Sequence, residues 1–120
     1  MPRMWTGDLS AKLAFSRGEM MRRDYVIVCN EYSGYIPGVI LFWGEFTEDD
    51  TEKRSFSGYT SDLDKCEKYT LEEVKHSGYH FPVYDGRMTR ASFERNRDVA
   101  IKISQLSELG YVIKRFAVKA

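Results

Sequence analysis

The sequence predicts an α+β fold, with a mainly antiparallel sheet of about four to six strands and two or three short helices. Three observations lead there. Apolar runs of strand length recur along the chain, the helix starts are soon followed by breakers, and most connections are too short for repeated parallel crossovers. Tyr25-Val26-Ile27-Val28-Cys29 is a continuous, β-branched run, as in a strand buried on both faces. Ser-Gly and Pro-Gly pairs within 30–38 mark a turn. Residues 39–46 read as a second strand, paired with 54–59 in a hairpin whose connection is the acidic stretch 47–53. Asp62 and Asp64 open a turn, and 65–69 reads as a helical turn or short strand. Thr70-Leu71-Glu72-Glu73 matches a capping box, with Gly78 as the stop. Phe81-Pro82-Val83-Tyr84 is extended and Asp85-Gly86 is a turn pair. Residues 89–96 form a short helix anchored by Phe93. The alternation after Val99 predicts a half-buried strand over 98–103. One helical turn over 104–110 and a last strand over 111–118 complete the order.

At 120 residues the chain suits one domain with a real core. We assign 21–120 to that domain and 1–20 to a peripheral N-terminal segment. Within the latter, Asp8 caps a short helix ended by Gly18. Arg17-Gly18-Glu19-Met20-Met21 is also encodable by a purine-rich ribosome-binding stretch, so 1–20 reads as a possible translated leader with the natural start at Met20 or Met21. The formal net charge is zero, which disfavours whole-molecule attraction to nucleic acid or anionic membrane. No run approaches a membrane span, and the N-terminus lacks a signal-peptide core. With only Cys29 and Cys66, the chain suits a reducing compartment, and the expected location is the cytoplasm.

No catalytic set stands out. His76 and His80 have a zinc-compatible interval, but Gly78 and Pro82 break any helix that would align them. Asp62, Asp64 and Glu67 resemble part of a calcium loop without its glycine and distal glutamate, and read better as turn and cap residues. Cys66 with either histidine lacks a recognisable surrounding motif, and no nucleophile elbow, phosphate loop or dinucleotide fingerprint occurs. The carboxylates of the acidic stretch read as a solvated, flexible loop that holds no fixed geometry. These readings imply no metal or cofactor, and an enzyme is the weaker hypothesis. Arg87, Arg90, Arg95 and Arg97 cluster around Phe93. They are enough for a few phosphates, but Glu94 interrupts them, so nucleic acid is not the favoured partner.

A binding module remains. Tyr32, Tyr35, Trp43, Phe56, Tyr59 and Tyr69 crowd a short span among charges. If 54–59 is a strand, Arg54, Phe56 and Gly58 share one face, and Ser55, Ser57 and Tyr59 the other. One aromatic then enters the core while the other faces outward. Tyr, Trp and Arg dominate binding hot spots. The candidate contact residues are therefore Trp43, Phe56, Tyr59 and Arg54, with Glu48, Asp49 and Asp50 at the hairpin tip. Ser-Gly-Tyr occurs three times, at Ser33, Ser57 and Ser77. Each copy pairs a tight bend with an amphipathic ring, and together they suggest tyrosines lining one face.

The segment running from the apolar strand through Phe42-Trp43 to Gly58-Tyr59-Thr60 and Tyr69-Thr70-Leu71-Glu72-Glu73 resembles small uncharacterised proteins of bacteriophages and prophages. The match spans roughly Tyr25 to Val74. The resemblance implies a mobile-element origin and carries over no catalytic residue. It leads to the expectation of a non-enzymatic accessory protein that binds and modulates a host protein, such as a defence component. The alternative is a small-ligand or nucleotide-binding protein, or an enzyme of that kind, with a pocket framed by Tyr35, Trp43, Tyr59 and Arg54. The sequence leaves the oligomeric state open.

Overall fold

The computed structural model describes residues 22–33 and 38–113. The expectations for residues 1–20, for Tyr35 and for the end of the last strand lie outside them.

Four strands form one antiparallel sheet: β1 (Tyr25–Cys29), β2 (Leu41–Trp43), β3 (Tyr59–Thr60) and β4 (Asp98–Lys102), in the order β3-β2-β1-β4. A single turn α1 (Asn30–Ser33) follows β1. Helices α2 (Leu71–Lys75) and α3 (Arg90–Arg95) and a 3-10 helix (Ile103–Leu109) complete the α+β architecture.

β1 is the centre of the molecule. It pairs with β4 along its whole length and with β2 only at Val28 and Cys29. At its other end Tyr25 exchanges backbone hydrogen bonds with Tyr69, so a non-adjacent segment completes that edge. Strand alternation then divides the core. Val26, Val28, Phe42, Val99 and Ile101 pack on one face with Phe93 of α3 and with Leu106, Leu109 and Tyr111. Ile27 and Ala100 pack on the other with Tyr69 and Val74 of α2, joined by the half-buried Trp43, Phe56 and Phe81.

This double coverage corrects the half-buried reading of 98–103: Val99, Ala100 and Ile101 are all fully buried. β4 is the outer strand by ladder order, but the extended segment through Val83 covers its edge. The Ala100 amide donates to the Pro82 carbonyl at 2.8 Å, and the Tyr84 amide to the Ala100 carbonyl at 2.8 Å. A covered edge is closed to further strand pairing.

The hairpin also differs from the sequence expectation. β2 spans three residues rather than 39–46, and its partner is Tyr59–Thr60 rather than 54–59. Gly44 ends β2 by adopting a φ of +84°, which turns the chain out of the sheet. Its amide donates to the Gly58 carbonyl at 2.8 Å, closing a loop over the intervening residues. Because 54–58 is not a strand, period-two alternation does not govern which of its side chains are buried.

The capping box at α2 forms as read. The Thr70 hydroxyl accepts from the Glu73 amide at 3.0 Å, and the Glu73 carboxylate accepts from the Thr70 amide at 2.8 Å. The helix ends at Lys75, before Gly78, with His76 as its C-cap. Thr89 caps α3, and Phe93 is its fully buried anchor. Tyr111 is buried but lies in no strand, and Val112 and Ile113 are exposed, so the expected last strand is absent over its described residues.

Glu73 carries a pH dependence. Burial raises its pKa, but the Arg23 side chain and the Thr70 amide outweigh that and leave it below the ordinary glutamate value. A depressed folded-state pKa contributes stability that is present above the unfolded value. That stability is lost as pH falls through the folded one. In acid titrations the wild type should therefore lose stability below about pH 4, and Glu73→Gln should lose less over that window. Thr70→Ala should cost about 1 kcal/mol at pH 7 in urea unfolding.

Both cysteines are buried thiols. Burial, opposed by the Lys68 ammonium, pushes the Cys66 thiol up to about 11, and burial also raises Cys29. Thiolate is the reactive form. Neither residue should react with Ellman's reagent at pH 8 until denaturant is added. Rapid labelling of the native protein would contradict this burial.

Candidate functional site

The surface is built outward from Trp43. As the last residue of β2, Trp43 points to the α2 side of the sheet, opposite Phe42. Its indole Nε1 donates to Asp98 Oδ1 at 2.9 Å, across the sheet from β4. This bond fixes the ring's rotation. Three rings meet it edge-on: Tyr59 at 5.6 Å between centroids, Tyr79 at 5.4 Å and Phe81 at 5.1 Å. Tyr32 of α1 extends the set by packing on Tyr59 at 5.2 Å. At the inner end Phe56 stacks on the buried Tyr69 at 4.9 Å and approaches Tyr79 at 5.4 Å. Offset and edge-to-face pairs in this distance range are the favoured aromatic geometries.

The result is a continuous aromatic band from the buried Tyr69 to the surface. Tyr32, Tyr59 and Tyr79 are 38%, 45% and 54% exposed, although Tyr59 and Tyr79 both pack on Trp43 and Tyr32 packs on Tyr59. Two of the three Ser-Gly-Tyr tyrosines, Tyr59 and Tyr79, thus meet on Trp43. Gly58 and Gly78 precede them at φ values of +88° and +86°, supplying the tight bends. Phe56 and Tyr59 do divide into an inner and an outer aromatic, although not by strand alternation. Sequence reasoning reached Tyr79 only through the Ser-Gly-Tyr pattern, without placing it among the contact residues, and missed Phe81. The third Ser-Gly-Tyr was the available signal for Tyr79, but nothing local places Phe81 beside Trp43.

The acidic loop beside this band is pinned, contrary to the expected flexible one. Arg54 turns its guanidinium inward, with its side chain 3% exposed. It donates to the carbonyls of Thr47 at 3.3 Å, Asp49 at 2.7 Å and Glu52 at 2.9 Å. It also lies 3.5 Å from the carboxylate of Glu67, which is fully buried. Glu67 in turn accepts from the amides of Thr47 (3.3 Å), Ser55 (3.0 Å) and Lys68 (3.0 Å), and from the Thr47 hydroxyl. The turn-and-cap reading holds for Asp62, whose Oδ1 accepts from the Asp64 amide. It fails for Glu67, which is the internal anchor of the loop. A lone glutamate in a charge-rich turn carries no sequence signal for such burial.

The three candidate acids at the tip have separate fates. Asp50 lies 3.2 Å from Arg23, whose other nitrogens hold Glu73. The Thr51 hydroxyl and amide donate to Asp49 and hold its carboxyl below the usual range. Glu48 is exposed. Arg54, a candidate contact residue, is occupied inside the loop, and Tyr35, the remaining residue of the expected pocket frame with Trp43 and Tyr59, lies outside the described residues.

Two of the four clustered arginines, Arg90 and Arg97, are paired within the chain. Arg90 lies over the Tyr111 ring at 4.4 Å and donates to Glu94 at 3.2 Å, and Glu94 also accepts from the Tyr111 hydroxyl. Arg97 pairs with Glu31 at 2.7 Å. His76 and His80 are exposed, and among the described residues no group of three or more His, Cys, Asp or Glu side chains is placed to hold a metal ion. No helix among these residues is long and apolar enough to cross a membrane.

Fold and surface together define a small α+β protein that presents an aromatic band beside an internally braced acidic loop. No family model, curated protein or solved structure matches the chain.

Proposed function

We propose that this chain is a non-enzymatic accessory protein of phage or prophage origin that binds and modulates a host macromolecule, for example a defence component, through its aromatic band. The observation that carries the binding reading is the joint exposure of Tyr32, Tyr59 and Tyr79 around Trp43. A monomer gains little by leaving three half-exposed rings in water around one tryptophan, whereas rigid aromatic area is what interface hot spots use. The braced loop adds a second favourable property. Its backbone is already ordered, so docking against it loses little conformational entropy. The phage origin rests on the resemblance of the segment from Tyr25 to Val74, and the absence of catalysis on the lack of a recognisable reactive constellation.

Tagged protein incubated with bacterial lysate should recover one stoichiometric partner. The double variant Tyr59→Ala/Tyr79→Ala should lose it while keeping the wild-type circular dichroism spectrum. Each of these half-exposed rings should contribute less than about 1.5 kcal/mol to folding, because only part of its area leaves water. Recovery of the same partner by the folded double variant would refute the aromatic band as the contact. Thermal stabilisation by a nucleotide or metabolite, with no macromolecule recovered, would replace the reading with a small-ligand one.

A further inference from the structure

We infer that the Tyr32–Tyr59–Trp43 corner of the band receives an arginine-bearing basic segment of the partner protein. This rests on the binding reading above and specifies the chemistry of its partner.

The argument is the charge that surrounds the rings. Glu31 is the second residue of α1 and precedes Tyr32, with its carboxylate 2.7 Å from Arg97 Nε. Asp98 Oδ1 accepts from Trp43 Nε1, and its Oδ2 is 3.8 Å from the same Arg97 nitrogen. Glu45, two residues beyond Trp43, places its carboxylate within 3.8 Å of where a side chain at Gly58 would begin, next to Tyr59. Among the described residues this corner therefore sets three carboxylates against one guanidinium. Glu45 also begins the acidic stretch that continues through Glu52, so the negative field extends from the rings along the loop.

Aromatic faces edged by excess carboxylate favour one kind of side chain. A guanidinium stacks flat on a tyrosine ring, is attracted by its quadrupole and offers paired N–H donors to a carboxylate beside it. Nucleic-acid bases can also stack on the rings, but phosphates and acidic segments meet repulsion from Glu31, Asp98 and Glu45 and gain nothing from the negative ring faces. Lysine satisfies the charge but lacks the planar stack.

The test is titration of the full chain with an arginine-rich nonapeptide, a glutamate-rich counterpart and a short oligothymidylate. Affinity is read by calorimetry, and the Trp43 indole N–H by NMR, assigned against Trp5→Phe. The arginine peptide is expected to bind and to shift the Trp43 resonance. Its affinity should fall as salt rises from about 50 to about 300 mM. Tyr59→Ala should weaken it by roughly tenfold. Glu31→Gln should weaken it by roughly fivefold or more, since that change removes one carboxylate and also releases Arg97 to repel the incoming cation. Ser107→Ala, an exposed position on the 3-10 helix, should leave the affinity unchanged. Tighter binding of the glutamate peptide or the oligonucleotide, a concentration-dependent dimer that covers the Trp43 resonance, or no response to the arginine peptide would each overturn the inference. The wider reading is tested separately: it fails if the folded Tyr59→Ala/Tyr79→Ala variant keeps its partner or if no macromolecule is recovered.

Discussion

Glu67→Ala is expected to destabilise the protein by about 3–5 kcal/mol, the range for breaking a buried ion pair by removing one partner. At about 4 °C per kcal/mol for a domain of this size, the melting temperature should fall by more than ~12 °C. The physical reason lies less in the Arg54 contact than in the donors. At 3.5 Å the guanidinium is a longer-range partner, whereas three backbone amides and a hydroxyl converge on the carboxylate. Removing Glu67 strands those donors beside a guanidinium that stays buried. Removing Arg54 instead leaves the carboxylate with its amides and costs the loop three carbonyl contacts. Arg54→Ala should therefore be the milder change, and the double variant should cost less than the sum of the two. Urea unfolding of the three variants measures this. Equal losses for the two single variants would mean that the ion pair, and not the amide cluster, dominates.

Gly44→Ala is the second large effect, at about 2–5 kcal/mol. A Cβ at Gly44 would stand 2.5 Å from the Ser55 carbonyl oxygen, 2.7 Å from Glu67 Cβ and 2.7 Å from the Tyr69 hydroxyl. The first of these is backbone and cannot rotate away, so the loop itself must move at about 1–3 kcal/mol. The left-handed φ of +84° adds roughly 1–2 kcal/mol for any residue with a Cβ. Gly86→Ala separates the two contributions. Its φ is +89°, but a Cβ there would meet nothing within 4 Å, so only the conformational part applies. If both variants lose the same stability, the close approach at Gly44 contributes nothing.

Both sites lie where the sequence reading and the structure diverge. The run 39–46 is apolar enough to be one strand, and no local preference says that Gly44 should end it. Gly44 does so because the Ser55 carbonyl, Glu67 and Tyr69 crowd its α-carbon, and two of these come from a segment more than twenty residues away. Residues 54–58 likewise lie outside the sheet, and Arg54 braces the loop from within. By contrast, Thr70 and Glu73 complete their capping box within four residues, and the local pattern alone was sufficient. Phe93 was legible for a related reason, since a single large apolar residue in a short polar helix has one face to bury.

The aromatic band falls between these cases. Trp43 and Tyr59 were readable as candidates because residue type and clustering point to interfaces. Their meeting with Tyr79 and Phe81 depends on the chain returning past α2, and on the Asp98 carboxylate that orients the indole from β4. The amino-acid sequence by itself determined the α+β class, the central buried strand, the capped helix starts and the aromatic-rich composition, all set by local propensity and short-range pattern. Tertiary structure alone decided which aromatics share a surface, that the acidic loop is braced, and that one glutamate is buried as its anchor. Those outcomes depend on contacts between residues distant in sequence, whose energies arise only once the sheet has brought them together.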